Sequence, residues 1–204
     1  MVRGSWFVVR GSWFVVLDNM RTFIAIPFPD ECRAMLEQLQ KKLRSHDADV
    51  RWVAIPSIHL TLKFLGEVDP AIIPKLAESL KNATQAQPGF ALRLHGLGCF
   101  PNLQNPRVIW CGIDGETDAL SRLHQSVEAA CVSIGFARED RAFHPHLTLG
   151  RINGKRNLRP LLDCIKMGSD LESGFISDHF SIYRSVLKPQ GAVYTVLDTI
   201  ELSA

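Results

Sequence analysis

Alternation of apolar and polar residues is the clearest pattern in the chain, and it occurs at a tetrapeptide that is used twice. His-Leu-Thr-Leu stands at residues 59–62 and again at residues 146–149, inside alternating runs at 58–66 and 144–151. Successive side chains of a β-strand point to opposite faces. Each copy is therefore predicted to be a half-buried strand that carries an imidazole and a hydroxyl on its open face.

Strand phase also assigns the neighbours of the first copy. His59, Thr61 and Lys63 would share the open face, while Phe64 would join the two leucines in the core. In the second copy the histidine and the threonine take the same phase. Two such strands could line one cleft.

The rest of the pattern predicts a mixture of strands and helices. Runs rich in β-formers predict further strands at 22–27, 50–54, 90–97, 107–113, 174–184 and 192–201, with a turn at 188–191 between the last two. Helical periodicity predicts helices at 31–45, 70–83, 116–134 and 158–167. Because each half has a helix flanked by strands and one tetrapeptide, we expect a diverged internal duplication of α+β units that forms two lobes facing each other.

The first nineteen residues differ from the rest of the chain. The heptapeptide RGSWFVV occupies residues 3–9 and is repeated at 10–16. Arg10 and the two residues after it interrupt the apolar run that a secretory signal needs. The repeat favours an unfolded extension of cloning origin, or a mis-assigned start, over residues 1–19, followed by a single domain at 20–204. A natural pair of WFVV strands is the alternative.

Composition is typical of an ordinary globular protein. With 46% hydrophobic and 22% charged residues, the chain is neither disordered nor a membrane protein. A net charge of +2 is too small to indicate a nucleic-acid binder by itself. Five cysteines at wide spacings, without a CxxC pair, indicate reduced packing residues in a cytoplasmic protein.

The duplicated residue types suit proton transfer at a phosphodiester. Two histidines can move two protons near neutral pH, one as a base that begins neutral and one as an acid that begins protonated. Thr61 and Thr148 lie in phase with His59 and His146, and their hydroxyls could donate to two non-bridging oxygens of one tetrahedral centre. The sequence contains no serine nucleophile elbow, Walker loop or Rossmann glycine fingerprint.

The segments around both copies carry a family resemblance. They read RWV at 51–53, HLTLKFLGEV at 59–68, PRVIWCGI at 106–113, FHPHLTLGR at 143–151 and SVLKPQGAVYTVLDTIEL at 185–202. From residue 20 onward the chain resembles the two-histidine (2H) phosphoesterases. Within them it is similar to the bacterial and archaeal RNA 2',3'-cyclic phosphodiesterases, also called 2'-5' RNA ligases.

This resemblance implies an α+β fold with two pseudo-symmetric lobes of antiparallel sheet plus helices around a central cleft. It also implies a metal-independent hydrolysis that needs no cofactor. RNA or nucleoside 2',3'-cyclic phosphate ends would be opened to 2'-phosphates, with reversible 2'-5' RNA ligation as an added activity. His59 would be the general acid and His146 the general base, while Thr61 and Thr148 would hold the non-bridging oxygens. The partner would be RNA with a cyclic phosphate end or a cyclic nucleotide, bound by a monomer that does not associate with membranes.

Three cationic residues are further candidates for binding phosphate or RNA. Lys63 shares the predicted face of His59, with a solvated surface charge as the alternative. Arg151 would reach the cleft if Gly150 permits a bulge. Arg107 is the first residue of a predicted strand. Structural ion pairs are the alternative for both arginines.

His144 is the fourth candidate for this phosphate or RNA set. It shares the face of His146, and HxH is also a spacing of metal ligands. Because no Cys, Asp or Glu set accompanies the pair, a supporting role at the strand entry is favoured over a metal site.

Aromatic residues and other function classes complete the expectations. Trp52, Trp110 and Tyr194 could stack on a base, but packing is favoured, and Phe64 and Phe143 are predicted to be core. The alternative functions are a non-catalytic RNA-end or nucleotide-binding module, a sister 2H enzyme acting on 2'-5' oligoadenylate or an ADP-ribose cyclic phosphate, and a zinc-type hydrolase.

Overall fold

A computed structural model describes residues 4–9, 12–17, 19–168, 173–188 and 191–203. Its elements, in chain order, are β1 (Gly4–Val9), β2 (Ser12–Leu17), β3 (Met20–Ile26), α1 (Asp30–Arg44), β4 (Val50–Trp52), β5 (Leu60–Val68), α2 (Ile73–Thr84), β6 (Phe90–Phe100), β7 (Val108–Gly115), α3 (Thr117–Ser133), β8 (His146–Ile152), α4 (Leu158–Met167), β9 (Gly174–Ser177), β10 (His179–Lys188) and β11 (Gly191–Glu201). Short 3-10 turns at Ile55–Ser57 and Pro70–Ile72 precede β5 and α2.

Two antiparallel sheets form the body of the molecule, which confirms the predicted α+β fold with two lobes. One sheet has the strand order β11-β10-β3-β5, and the other has the order β4-β8-β7-β6-β9. The first tetrapeptide lies at the start of β5 and the second at the start of β8, so each sheet carries one copy. Because β5 contacts β8, the two copies lie where the sheets meet.

The internal duplication led us to expect that each lobe corresponds to one half of the sequence. The structure shows that it does not. Gln40 of α1 donates hydrogen bonds to the carbonyls of Val53 and Leu149, at 2.8 and 2.9 Å, so this helix is joined to the five-stranded sheet. Conversely, α3 is joined to β5 of the four-stranded sheet through Glu128 and Lys63. Each of these helices crosses to the lobe opposite to that of the strand before it.

The run at 174–184 is two strands rather than the single strand that was predicted. The chain leaves β9, which pairs with β6, and enters β10, which pairs with β3 and β11. Asp178 is the only residue between them. It therefore marks the point where the chain passes from one sheet to the other.

A continuous apolar core joins both sheets, and the leucines of the tetrapeptides lie inside it. Leu60, Leu147 and Leu149 are fully buried and Leu62 is nearly so. Burying a leucine stabilises the fold by about 1.5–3 kcal/mol. This anchorage fixes which way the histidines and threonines face.

The N-terminal repeat forms a two-stranded antiparallel sheet, in which Gly4 of β1 is opposite Leu17 of β2. This pairing differs from the unfolded extension that we expected and agrees with the alternative of a WFVV strand pair. The origin of residues 1–19 and the domain boundary at residue 20 stay predictions. Residues 10 and 11, between the strands, lie outside the described residues, as do Pro189 and Gln190 of the turn predicted at 188–191.

Two further features bear on the expectations from composition. Four of the five cysteines are buried and the fifth is partly so, as expected for packing residues. Within the described part of the chain, every helix is too short or too polar to cross a membrane.

Candidate active site

A β-bulge at Leu62 changes the direction of the residues that follow the first tetrapeptide. Thr61 is opposite Ala25 of β3, yet Lys63 is opposite Ile24, so Leu62 is an extra residue in the ladder. A classic bulge places two successive side chains on one face of the strand. Lys63 consequently points away from the face of His59, and Phe64 points toward it.

Both predictions for these two residues are therefore wrong. The side chain of Lys63 is only 4% exposed, and its ammonium lies 2.6 Å from Glu128 of α3. Phe64 is 71% exposed, and its ring centroid lies 6.1 Å from that of Phe23. The structure removes Lys63 from the candidate phosphate-binding set because its charge is already paired inside the protein.

The second tetrapeptide contains the same bulge at the same position. Thr148 is opposite Trp110 and Gly150 is opposite Ile109, which makes Leu149 the extra residue. The expected bulge near Gly150 is thus present, and Arg151 takes the exposed position that corresponds to Phe64. Arg151 is close enough to Tyr194 of β11 to act on it electrostatically, so its charge reaches the opposite lobe.

Gly150 contributes space rather than backbone flexibility. A Cβ atom there would come within 2.7 Å of Val50 and 3.0 Å of Trp52, because the residue turns inward where Lys63 does in the first copy. Trp52 itself packs under the guanidinium of Arg44, 5.6 Å from its ring centroid. The contact that the structure shows for Trp52 is therefore a packing contact.

The two imidazoles are held in the same way. Nδ1 of His59 lies 2.9 Å from the carbonyl oxygen of Ser57, and Nδ1 of His146 lies 2.7 Å from the carbonyl oxygen of His144. A carbonyl can only accept, so Nδ1 carries the hydrogen in both rings. Nε2 is left as the nitrogen that can gain or lose a proton.

His59 is enclosed by aromatic rings. Phe23 stacks on it at 4.5 Å, Tyr183 lies 5.1 Å from Phe23 and 6.4 Å from the imidazole, and Tyr194 meets the imidazole edge-on at 5.1 Å. Burial lowers the pKa of His59 to about 4, although the hydrogen bond to Ser57 acts in the opposite direction. At neutral pH the free protein therefore holds His59 uncharged.

His146 lies against the edge of Phe100, with ring centroids 4.8 Å apart and planes at 84°. Phe100 packs in turn on Trp110, at 5.4 Å. Trp110 lies over Gly98 of β6, and its indole Nε1 is buried without a hydrogen-bond partner among the described residues. The second histidine thus has an aromatic neighbour in its own lobe.

Both threonines follow their histidines on the open faces of β5 and β8. Each is partly buried, between leucines that are buried on the opposite face. Two imidazoles and two hydroxyls are therefore presented by strands from different sheets that contact each other.

Arg107 and His144 have described roles that involve their backbones. Arg107 is exposed at the start of β7, where its N–H donates to Phe100 and its carbonyl accepts from Ile152, at 2.7 and 2.9 Å. His144 supplies the carbonyl that holds His146. The phosphate or RNA roles of Arg107, Arg151 and His144 stay predictions.

The sequence did not single out Phe23 or Phe100, although both rings touch a histidine. Strand phase gave a signal for Phe23, because it lies on the same face of β3 as Ala25, which is opposite Thr61. The pairing of β3 with β5 is needed to show that this face of β3 contacts His59. Among the described residues, no three His, Cys, Asp or Glu side chains are grouped to hold a metal ion.

Comparison with known proteins identifies a family whose model matches this chain. The chain matches the family model described as LigT like phosphoesterase over residues 26–110 and 112–194. Among curated relatives, an RNA 2',3'-cyclic phosphodiesterase of Thermotoga maritima is 35% identical over 181 residues, which cover 87% of this chain and 93% of the relative. The enzyme of the same name from Aeropyrum pernix is 32% identical over 170 residues, covering 83% and 96%.

Comparison with solved structures also gives matches over most of this chain. The protein TT0787 of Thermus thermophilus superposes with a TM-score of 0.76 at 31% identity, covering 90% of this chain and 98% of that one. Escherichia coli LigT in complex with 3'-AMP gives a TM-score of 0.73 at 27% identity, covering 91% and 99%.

Proposed function

The chain belongs to the LigT-like phosphoesterase family, and from this membership we propose that it is an RNA 2',3'-cyclic phosphodiesterase that works by two-histidine acid and base catalysis. The observation that carries the mechanism is the matched pair of imidazoles. Both hold Nδ1–H against the carbonyl two residues earlier, so both offer Nε2 for proton transfer.

In the proposed reaction, water attacks phosphorus and the bond from phosphorus to the 3' oxygen breaks. Nε2 of His146 takes a proton from the water as the new P–O bond forms. Nε2–H of His59 gives a proton to the departing 3' oxygen, which leaves a 2'-phosphate and a 3'-hydroxyl. Proton transfer of this kind contributes about 10² to 10⁴ to the rate.

The remaining contributions come from positioning and charge. The hydroxyls of Thr61 and Thr148 would donate to the two non-bridging oxygens, where negative charge accumulates in the transition state. Arg151 supports this role because its position on β8 brings its charge to the other lobe. We propose that Arg107, exposed beside Phe100, binds the RNA strand through its phosphates.

The low pKa of His59 adds a requirement to its role as an acid. Burial keeps His59 neutral in the free enzyme, whereas a general acid must begin protonated. A phosphodiester anion beside the ring favours the cationic form. We therefore propose that the enzyme takes up a proton at His59 when the substrate binds.

The proposal extends to the substrate and setting. RNA with a 2',3'-cyclic phosphate end, or a cyclic nucleotide, is the proposed partner, and a 5'-hydroxyl in place of water would give a 2'-5' linkage. We propose that the enzyme acts as a monomer in the cytoplasm, where its five free thiols stay reduced.

Product identity is the direct test. The protein is incubated in EDTA with a dinucleotide that ends in a 2',3'-cyclic phosphate, and the product is identified by chromatography against both phosphate isomers. We expect the 2'-phosphate alone. A 3'-phosphate product would contradict the leaving-group assignment, tight 2'-phosphate binding without turnover would indicate a binding module, and turnover confined to 2'-5' oligoadenylate or an ADP-ribose cyclic phosphate would indicate a sister enzyme.

A further inference from the structure

Lys63 lies in the strand of the first histidine, yet its contacts lead to the second. Its ammonium donates to Oε1 of Glu128 on α3 at 2.6 Å and to the carbonyl of Ala137 at 3.0 Å. Ala137 belongs to the loop that runs from the end of α3 to β8. One buried cation thus joins β5, α3 and this loop.

Glu128 makes a second tie to the same loop. Its Oε2 accepts a hydrogen bond from the backbone N–H of Glu139 at 3.3 Å. The carboxylate is largely buried, with 12% of its side chain exposed. Lys63 and Glu128 therefore each make one contact with the other and one with the backbone of the loop.

The far end of the loop is held by a ring contact. His124, one helical turn before Glu128, stacks on Phe143 with centroids 4.0 Å apart and planes at 10°. Phe143 directly precedes His144, whose carbonyl accepts the hydrogen bond from Nδ1 of His146 at 2.7 Å. The path from the ion pair to the second imidazole is therefore continuous.

We propose that the Lys63–Glu128 pair is a positioning device for His146. It fixes the course of the loop, and through the loop it fixes the carbonyl of His144 against the imidazole. A net gain in stability does not explain the pair well, because desolvation of two buried charges offsets much of their attraction. Positioning does explain it, since a misplacement of about 1 Å at a reacting group can lower a rate by about 10².

The kinetic part of this inference rests on the proposed function, so the test has a readout that needs no substrate. The double variant Lys63→Met/Glu128→Leu replaces the pair by apolar side chains of similar size, which buried ion pairs often tolerate with little change in stability. It removes both ties to the loop. We expect kcat to fall about 10- to 100-fold with KM unchanged.

The substrate-free readout is the ¹⁵N and ¹H spectrum of the imidazoles. We expect the signals of His146 to shift in the double variant while those of His59 stay in place. Unchanged His146 signals, or equal shifts of both histidines, would overturn positioning in favour of no role or a general loosening. If the wild-type protein hydrolyses no cyclic phosphate, the proposed function fails, and these spectra still decide whether the pair positions His146.

A charge swap separates the ion pair from its loop contacts, and a second variant serves as a control. The charge swap Lys63→Glu/Glu128→Lys can restore the pair, but a carboxylate at position 63 cannot donate to the carbonyl of Ala137, and an ammonium at position 128 cannot accept from the N–H of Glu139. We expect kcat to stay low in the swap, and full recovery would overturn the proposal. As a matched control, Arg93→Met/Asp114→Leu removes the exposed ion pair between β6 and β7, and we expect kcat and the His146 signals to stay at wild-type values.

Discussion

The ring of Phe23 stacks on the imidazole of His59, with centroids 4.5 Å apart and an angle of 28° between the planes. The two histidines share a tetrapeptide and a tautomer, but His146 meets the edge of Phe100 instead, with planes at 84°. Burial, to which the ring of Phe23 contributes, lowers the pKa of His59 to about 4. The aromatic contacts of the two histidines therefore differ before any substrate binds.

The first prediction concerns stability at low pH. The pKa of His59 is about 4 in the folded protein, against 6.5 as its ordinary value, so the unfolded chain binds the proton first as the pH falls. Stability from this residue is present above pH 6.5 and is lost toward pH 4, by up to about 3 kcal/mol. Urea unfolding at pH 7.0 and 4.5 should show this extra loss in the wild type relative to His59→Gln. An equal loss in both proteins would contradict the burial of a neutral imidazole.

The second prediction concerns the two imidazoles that we propose as acid and base. His59→Ala and His146→Ala should each lower kcat/KM by at least about 10², because each removes one proton transfer. Thermal unfolding should show that both variants keep the fold, and His46→Ala, at the end of α1, should keep full activity. The wild-type rate should follow a bell-shaped pH profile whose limbs belong to the coupled pair. Substantial turnover in either catalytic variant would exclude the two-histidine mechanism.

The third prediction concerns the hydroxyls. Thr61→Val and Thr148→Val keep the shape of the side chain and suit a strand, but they remove the donors to the non-bridging oxygens. We expect each to lower kcat by about 10² to 10³, while the matched Thr→Ser variants keep most of it. Wild-type kcat in a valine variant would show that its hydroxyl does not act on the transition state.

The fourth prediction tests the bulge in β5. A regular strand would place Leu62 and Phe64 on one face, whereas the structure buries Leu62 and leaves Phe64 71% exposed. Leu62→Ala should cost about 2–5 kcal/mol of the free energy of unfolding, and Phe64→Ala less than about 0.5 kcal/mol. Denaturant unfolding measures both, and comparable costs would favour the regular strand.

The fifth prediction concerns the contact between Gly98 and Trp110. A Cβ atom at position 98 would overlap the indole ring, so Gly98→Ala should destabilise the protein by about 1–3 kcal/mol. The control Gly174→Ala meets only the carbonyl of Leu92, at 3.6 Å, and should change little. The cost of Gly98→Ala should fall in a Trp110→Leu background; an unchanged cost would assign it to another cause.

Local patterns predicted the parts of the site that depend on one strand at a time. The alternation at 58–62 and 146–149 assigned the buried leucines and the open face of the histidines and threonines, because a period of two needs no knowledge of the partner strand. The bulges depend on pairing with β3 and β7. We predicted a bulge near Arg151 but not near Lys63. The predicted direction of the side chain was therefore right for Arg151 and wrong for Lys63.

Tertiary arrangement accounts for the other differences. An amphipathic stripe on α1 shows that one face is buried, but it does not show that Gln40 will join the sheet of the second tetrapeptide. The run around Asp178 looks continuous because both of its strands have β-forming residues, and only the two ladders divide it. The rings around His59 come from β3, β10 and β11, which lie far apart in sequence.

The strand order of the four-stranded sheet joins strands that are synthesised at very different times. β3 pairs with β5 on one side and with β10 on the other, and residues 179–201 leave the ribosome long after residues 20–68. A domain generally folds as a unit, and a nascent chain contains both tetrapeptides before the strands that bring Tyr183 and Tyr194 to His59 have been made. The ring contacts of His59 with Tyr183 and Tyr194 therefore form only after both tetrapeptides have been synthesised.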